Sequence, residues 1–291
     1  MTLPPANHLI LKIACVCLLM PSVFTACTST EPRRSDTLAN HASKPVELVK
    51  SQHNFDLLQY HGLEVSNPFG DLHVRKGTTN SAQLVLFVQR KTGSEAQVMV
   101  DRYSRNNLLE LEINLASGSA SGDVLRIDAV LSVPDQPSLK LTTTFGTIDA
   151  KKLYNPTLES FSESGDILLS ATSLMHVHTE HGTIRATIMR PGWSGENHFS
   201  SGSGKVQAFF PLGPNLFLQV KAATEILSEF KLEITKKNGS SHAEFMAGDG
   251  TDKIVIESRK GGVELYSLVF DPRVYGPPSI MERQILNPDG L

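Results

Sequence analysis

The chain has 291 residues, with 27 Lys+Arg against 30 Asp+Glu and a formal net charge of -3. That length holds one large domain or two small ones, and the near-neutral balance, with no basic stripe, argues against a nucleic-acid partner. Hydrophobic residues at 40% and charged ones at 20% describe a packed protein rather than a disordered one, and three cysteines cannot make a disulfide framework.

Residues 1–26 contain no Asp or Glu, and Lys12 is followed by an apolar run from Ile13 to Phe24. That run is shorter than the roughly 20 residues a spanning helix needs, and it suits the apolar region of a secretory signal. The run ends Val23-Phe24-Thr25-Ala26-Cys27. This resembles a bacterial lipobox, in which small residues precede a Cys that is lipidated before cleavage; Phe24 stands where Leu is usual. The reading is a lipoprotein-type signal peptide over 1–26, a lipidation site at Cys27, and a flexible tether over 27–45 containing Pro32, Arg33 and Arg34. A plain signal peptide cleaved near Ala26 is the alternative. Cys15 and Cys17 fall in the removed segment. By resemblance to proteobacterial lipoproteins, Thr28 in place of Asp implies the outer membrane in an organism that has one. No later segment reaches roughly 18 uninterrupted apolar residues, so acyl chains, not a span, are expected to hold the body at the membrane.

From 46 to 270 the pattern is that of short half-buried strands, apolar residues alternating with polar ones. Leu72 and Val74 are followed by Leu84, Leu86 and Val88. Leu109, Leu111 and Ile113 come next, then Ile127 and Ala129. Gly77, Gly93, Asn106-Asn107, Gly118 and Pro134 punctuate them as turns. A unit then recurs over 139–265: Gly146-Thr-Ile148-Asp-Ala150, Gly165-Asp-Ile167-Leu-Leu169, Gly182-Thr-Ile184-Arg-Ala186 and Gly204-Lys-Val206-Gln-Ala208. The glycines are 19, 17 and 22 residues apart. Glu225-Ile226-Leu-Ser228 is a degenerate copy, Gly261-Gly-Val263-Glu-Leu265 closes the series, and Gly70-Asp-Leu72-His-Val74 anticipates it.

Such a period marks stacked units. It predicts an all-β fold with a body built as a single-stranded parallel β-solenoid of about 17–22 residues per coil. A β-sandwich with Gly-rich hairpins is the alternative. Ahead of each Gly the inward residues sit at odd offsets, as with Leu139, Leu141, Met175, Val177 and Phe199; after it they sit at even ones. The parity change predicts a bulge or left-handed residue at Gly146, Gly165, Gly182 and Gly204, which Gly adopts without a Cβ penalty. The Pro-containing tail, 271–291, is expected to cap the last coil or stay loose.

These repeats, with Leu131-Ser-Val-Pro134 ahead of them, resemble the adhesin-like β-strand-repeat family of unknown function over roughly residues 60 to 265. The resemblance implies a β-repeat fold and a cell-surface use, and brings no catalytic residues with it.

Catalytic signatures are absent from the sequence. Gly192-Trp-Ser194-Gly195 is one residue short of a nucleophile elbow, Gly204-Lys205 lacks the following Ser or Thr of a phosphate loop, and His178-Thr-Glu180-His181 is not a zinc-protease helix motif. Asp123, Asp149 and Asp166 read as turn acids that bond nearby backbone. Phe199-Ser-Ser-Gly-Ser-Gly204 reads as a flexible turn, and Trp193 as a lid on the core, with an exposed contact as the alternative. The dense constellation is His176-Val-His178-Thr-Glu180-His181. With Val177 inward, alignment on the glycines puts His176, His178 and His198 on one outer surface with Glu159, Glu163 and Glu180 beside them. That is a geometry zinc or copper can use; the alternative is a solvated polar face.

The functional expectation is a lipid-anchored, non-enzymatic cell-envelope protein displaying an adhesin-like binding domain. Its membrane contact would be the lipid anchor, and its partner an envelope protein or surface ligand. An envelope-stress sensor and a carbohydrate-active β-helix enzyme are the alternatives.

Overall fold

The computed structural model describes residues 45–119 and 122–268. The signal peptide, Cys27, the tether up to residue 44 and the tail 271–291 lie outside the described residues. The described residues open with β1 (Val46–Asp56), β2 (Gly62–Asn67) and β3 (Leu72–Lys76). An excursion follows through β4 (Ser81–Lys91), β5 (Val98–Arg105), β6 (Leu108–Leu115) and β7 (Val124–Val133). The repeat occupies β8 (Ser138–Thr143), β9 (Ile148–Leu153), β10 (Thr157–Ser162) and β11 (Ile167–Ala171), then β12 (Leu174–Thr179), β13 (Ile184–Ile188), β14 (Gly195–Ser201) and β15 (Val206–Pro211). The last stretch holds β16 (Leu216–Ala222), β17 (Ile226–Ser228), β18 (Ile234–Lys237), β19 (Ser240–Met246), β20 (Asp252–Ser258) and β21 (Val263–Leu268).

These strands form two mixed sheets around one core. Sheet A runs β1-β4-β7-β3-β9-β11-β13-β15-β21-β17, and sheet B runs β18-β19-β16-β20-β14-β12-β10-β8-β2-β6-β5. In the repeat the chain lays one strand in sheet B, turns at the glycine, and lays the next in sheet A. Each strand then pairs in parallel with its equivalent one repeat away. Alternation does the rest. Ile148, Ile167, Ile184 and Val206 stand side by side across sheet A, all with zero exposure. Leu63, Leu139, Leu158 and Met175 face them from sheet B.

The all-β expectation holds, but a single-stranded solenoid does not describe the molecule. A solenoid requires every turn to lie on its predecessor. Here β20–β21 pair with β14–β15, so the series does not close at Gly261; the degenerate β16–β17 lie beyond them. At the other end β2–β3 lie between β6–β7 and β8–β9. Antiparallel partners border both sheets, through β1 and β4 in sheet A and through β5, β18 and β19 in sheet B. Two mixed sheets packed on a shared core are a β-sandwich, although its glycine corners cross between sheets instead of closing hairpins.

The glycines recur for a different reason from the one the parity suggests. None of Gly146, Gly165, Gly182 and Gly204 is left-handed. Each corner instead lies flat on the one before it. A Cβ on Gly165 would fall 1.8 Å from the Gly146 carbonyl oxygen, and one on Gly204 would fall 1.9 Å from that of Gly182. A hydroxyl three residues ahead completes each corner. Thr143, Ser162, Thr179 and Ser201 accept the N–H of Gly146, Gly165, Gly182 and Gly204 at 2.8–3.0 Å. Thr179 and Ser201 also donate to the preceding corner's glycine carbonyl, at 3.0 and 2.9 Å. These buried hydroxyls form a polar row along one margin of the core, and each satisfies backbone groups that burial would otherwise leave unpaired.

Candidate functional site

The long unit between Gly182 and Gly204 absorbs its extra residues without losing register. Gly192 and Ser194 take positive φ, and the buried Asp252 carboxylate accepts both of their N–H groups, at 2.8 and 3.0 Å. Trp193 is half-buried against the core, and its indole N–H donates to the Lys253 carbonyl at 3.3 Å. β14 therefore keeps its parity: Phe199 points in and His198 points out. Phe199-Ser-Ser is the end of that strand, not a free turn, because Ser201 holds the Gly204 corner and Ser203 donates to the Glu180 carbonyl.

On the outer face of sheet B, His176 stands opposite His198, with Glu159 on its other side. One row on, His178 stands between Phe161 and Ser200. The Phe161 ring stacks on the His178 ring with centroids 5.6 Å apart. His178 Nε2 lies 2.8 Å from Glu180 Oε1 and its Nδ1 lies 2.7 Å from Ser200 Oγ. A carboxylate only accepts, so the proton sits on Nε2, and in the neutral ring Nδ1 accepts from the Ser200 hydroxyl. The His178 contact holds the Glu180 carboxyl below the usual carboxylate range.

The three imidazoles thus share a surface, but their donor atoms do not converge on a metal. Both nitrogens of His178 are engaged, His176 Nε2 lies 3.3 Å from the Glu196 carbonyl, and no group of three metal-ligating side chains gathers among the described residues. A closed zinc or copper site does not fit this arrangement. Ser200, His178 and Glu180 do follow the order hydroxyl–imidazole–carboxylate of a serine hydrolase. However, Ser200 is nearly buried and faces Glu257 across the strand pair. A carboxylate beside the reacting carbon opposes the oxyanion that such chemistry must stabilise. The chain of hydrogen bonds fixes the ring of His178.

The rest of this face was not singled out by motif. A depression of about 260 Å³ opens between β20, β16 and β19, lined by Gln219, Lys221, His242, Glu244 and Glu257. Lys221 Nζ donates to Glu257 at 2.9 Å and lowers its pKa, and Gln219 donates to Glu244 at 3.1 Å. His242 is a fourth outward imidazole, in register with Lys221. Across sheet B the outward strand positions carry eight carboxylates: Glu64, Asp101, Glu110, Glu112, Glu159, Glu196, Glu244 and Glu257. Five cations oppose them, Arg105, Lys140, Lys221, Lys237 and Lys253. Sheet A has the opposite bias, with Lys50, Arg75, Lys91, Arg126, Lys151 and Arg185 outward against Asp56, Asp128, Asp149 and Glu264.

Of the acids read as turn residues, Asp166 accepts the Thr183 N–H at 2.7 Å, as a turn acid should, and Asp123 pairs with Lys91 at 3.3 Å. Asp149 does not lie in a turn; it is outward on β9, bonded to Arg75 and Lys151.

No family model and no curated protein matches this chain. Solved structures align with it at low identity. A candidate cell adhesion protein from Clostridium sporogenes aligns at 11% identity and a TM-score of 0.45, over 76% of this chain and 100% of its own. A candidate adhesin from Bacteroides fragilis aligns at 11% identity and a TM-score of 0.37, over 75% of this chain and 97% of its own. A candidate lipid binding protein from Parabacteroides distasonis reaches 9% identity and a TM-score of 0.31, over 74% and 96%. Two of these descriptions are of the adhesin kind that the sequence repeats resemble, but at TM-scores below 0.5 the likeness does not say what this chain binds.

Proposed function

We propose that the protein is a lipid-anchored, non-enzymatic component of the cell envelope that binds a partner through the outer face of sheet B. The observation that carries this reading is the make-up of that face. Four imidazoles, the exposed rings of Phe161 and Tyr103, the exposed side chains of Met99 and Met246, and eight carboxylates share one side of a sheet whose interior repeats. Polar and aromatic groups set side by side on a rigid sheet are the raw material of recognition. The lipobox-like run ending at Cys27 would place the body at a membrane, and Thr28 favours the outer one.

Two experiments test the two halves. Palmitate labelling should be lost in Cys27→Ala, and the protein should leave the membrane fraction; labelling that persists refutes the anchor. A photo-crosslinking residue at position 161 or 110, on sheet B, should give adducts in intact cells that the same residue at position 83, on sheet A, does not. Equal adducts from both faces, or none from sheet B, refute the binding face.

A further inference from the structure

The face proposed for binding carries its charge in an unusual form, and its partner and regulation follow from that; the inference rests on the binding-face reading above. With imidazoles neutral, eight carboxylates exceed five cations across sheet B. Glu163, Glu180 and Arg259, one residue beyond β10, β12 and β20, add two carboxylates and one cation, so with His176, His178, His198 and His242 protonated ten cationic groups face ten carboxylates and the negative excess is cancelled. Sheet A has one outward histidine on its strands, His73, and its excess is cationic at either pH. We infer that the outer face of sheet B docks a Lys- or Arg-rich protein segment at neutral pH and releases it under mild acid, because protonation of these four co-facial histidines cancels the negative excess of the face.

The groups around the histidines are known on every side. β10 contributes Glu159 and is followed by Glu163, β12 is followed by Glu180, and β14 contributes Glu196. β20 contributes Lys253 and Glu257, and β16 contributes Lys221. β19 contributes Glu244 and β18 contributes Lys237. Arg259 and His181 stand at the corner beyond Glu180, and both act on its carboxylate. Three of these cations are on strands, so a basic partner is held by a small excess of negative charge, one that four protons cancel. Imidazole is the side chain whose charge changes between about pH 5 and 8, and the carboxylates stay ionised through most of that window. His176 and His198 are exposed on the sheet. The partner is a cation, not an anion, because at neutral pH the face as a whole repels anions and draws cations, over a range set by the Debye length.

The purified protein is titrated with oligolysine by calorimetry at about pH 7.5 and about pH 5.5, at low and at moderate salt. Binding is expected at the higher pH, weakened by salt, and at least ~10-fold weaker at the lower pH. His176→Gln/His198→Gln/His242→Gln, which leaves the hydrogen-bonded His178 in place, should keep most of its affinity at the lower pH. Glu159→Gln/Glu196→Gln/Glu244→Gln should weaken binding at the higher pH. If oligolysine does not bind at the higher pH, or binds the glutamate variant equally well, a basic segment is not the occupant of sheet B, and the crosslinking at positions 161 and 110 alone decides whether that sheet is a binding face. If it binds equally at both pH values, or the histidine variant is as pH-sensitive as the parent, the gate is wrong while the docking face stands.

Discussion

Along the glycine margin and the first row of sheet A the inside of the repeat is kept from unit to unit, and the outside differs in every unit. Along the inner margin Thr143, Ser162, Thr179 and Ser201 make the same bond to the same glycine N–H in four successive units. Beside them Ile148, Ile167, Ile184 and Val206 form one buried row. The outward positions in register on sheet B read Lys140, Glu159, His176, His198 and then Thr142, Phe161, His178, Ser200. Rows beside the corner keep one chemistry because each position there packs against its own copy, whereas the inward row Leu141, Ser160, Val177, Phe199 varies deeper in sheet B. Nothing in the stacking restricts the outward positions. The repeat therefore accounts for the fold, and the groups proposed for binding lie on the positions it leaves free.

That contrast is broken most severely at a corner. Gly165→Ala sets a Cβ where the Gly146 carbonyl oxygen already lies, 1.8 Å away, and both are backbone. No side chain can move aside, so a loss of about 4–5 kcal/mol is expected, close to the whole stability of a marginal domain. Chemical denaturation measures it; a loss below about 1 kcal/mol would mean the corners are loose. Ile167→Ala or Ile184→Ala should come next, at roughly 2–5 kcal/mol, since each leaves a cavity between two equally buried neighbours.

Thr179→Val keeps the shape of the polar row and removes its chemistry. The Gly182 N–H and the Gly165 carbonyl lose their partner inside the molecule. About 2 kcal/mol is expected, the usual cost of leaving buried polar groups unpaired. A neutral result would show that the glycines alone hold the corners.

Some outward residues do contribute to stability, and Glu264 on sheet A tests how far. Lys205, Gln207 and Tyr266 donate to its carboxylate, and the Lys205 ammonium first of all holds its pKa at about 2, against 4.5 for the free side chain. A carboxyl depressed in the folded state gives stability that is full above the unfolded value and is lost as pH falls towards the folded one. Glu264→Gln should therefore cost about 1–2 kcal/mol at neutral pH, with half-exposed Lys205 limiting the figure. The gap between parent and variant should close as pH falls from about 4.5 to about 2, and urea melts over that range follow it. A gap that stays constant with pH would mean the charge on Glu264 does not stabilise the fold.

The interior was legible in the sequence because it repeats. Period, parity and the inward set Leu139, Leu141, Met175 and Val177 could be read from alternation alone, and the alignment that pairs His176 with His198 survived a loop of several extra residues. The hydroxyl three residues before each glycine was equally visible in the sequence and is what ties the corners together; alternation drew the eye to apolar residues and away from it. The order of the units could not be read. Nothing local in Gly261-Gly-Val263 says that its strand inserts beside β15 ahead of β17, because that choice is made by pairing between distant segments. For the same reason His242 and the depression around it were invisible: β19 reaches the face only through antiparallel pairing with β16.

The smallest expected effect is on the outer histidines, and it tests the contrast most directly. His176 and His198 are exposed, and the hydrogen bond the structure gives either ring is the long one from His176 towards the Glu196 carbonyl. Their strands are held by backbone pairing and by Met175, Val177 and Phe199 beneath them. His176→Ala/His198→Ala should therefore change stability by no more than about 0.5 kcal/mol. In the parent, His178 is bonded at both nitrogens, so zinc finds at most two free imidazoles, short of the four ligands a structural site takes. Zinc should accordingly shift the melting temperature of parent and variant alike. A loss of more than about 1 kcal/mol in the variant would make the outer row part of the fold. A zinc-dependent rise confined to the parent would mean that the rings turn to close a metal site, and that this part of the face was shaped for an ion.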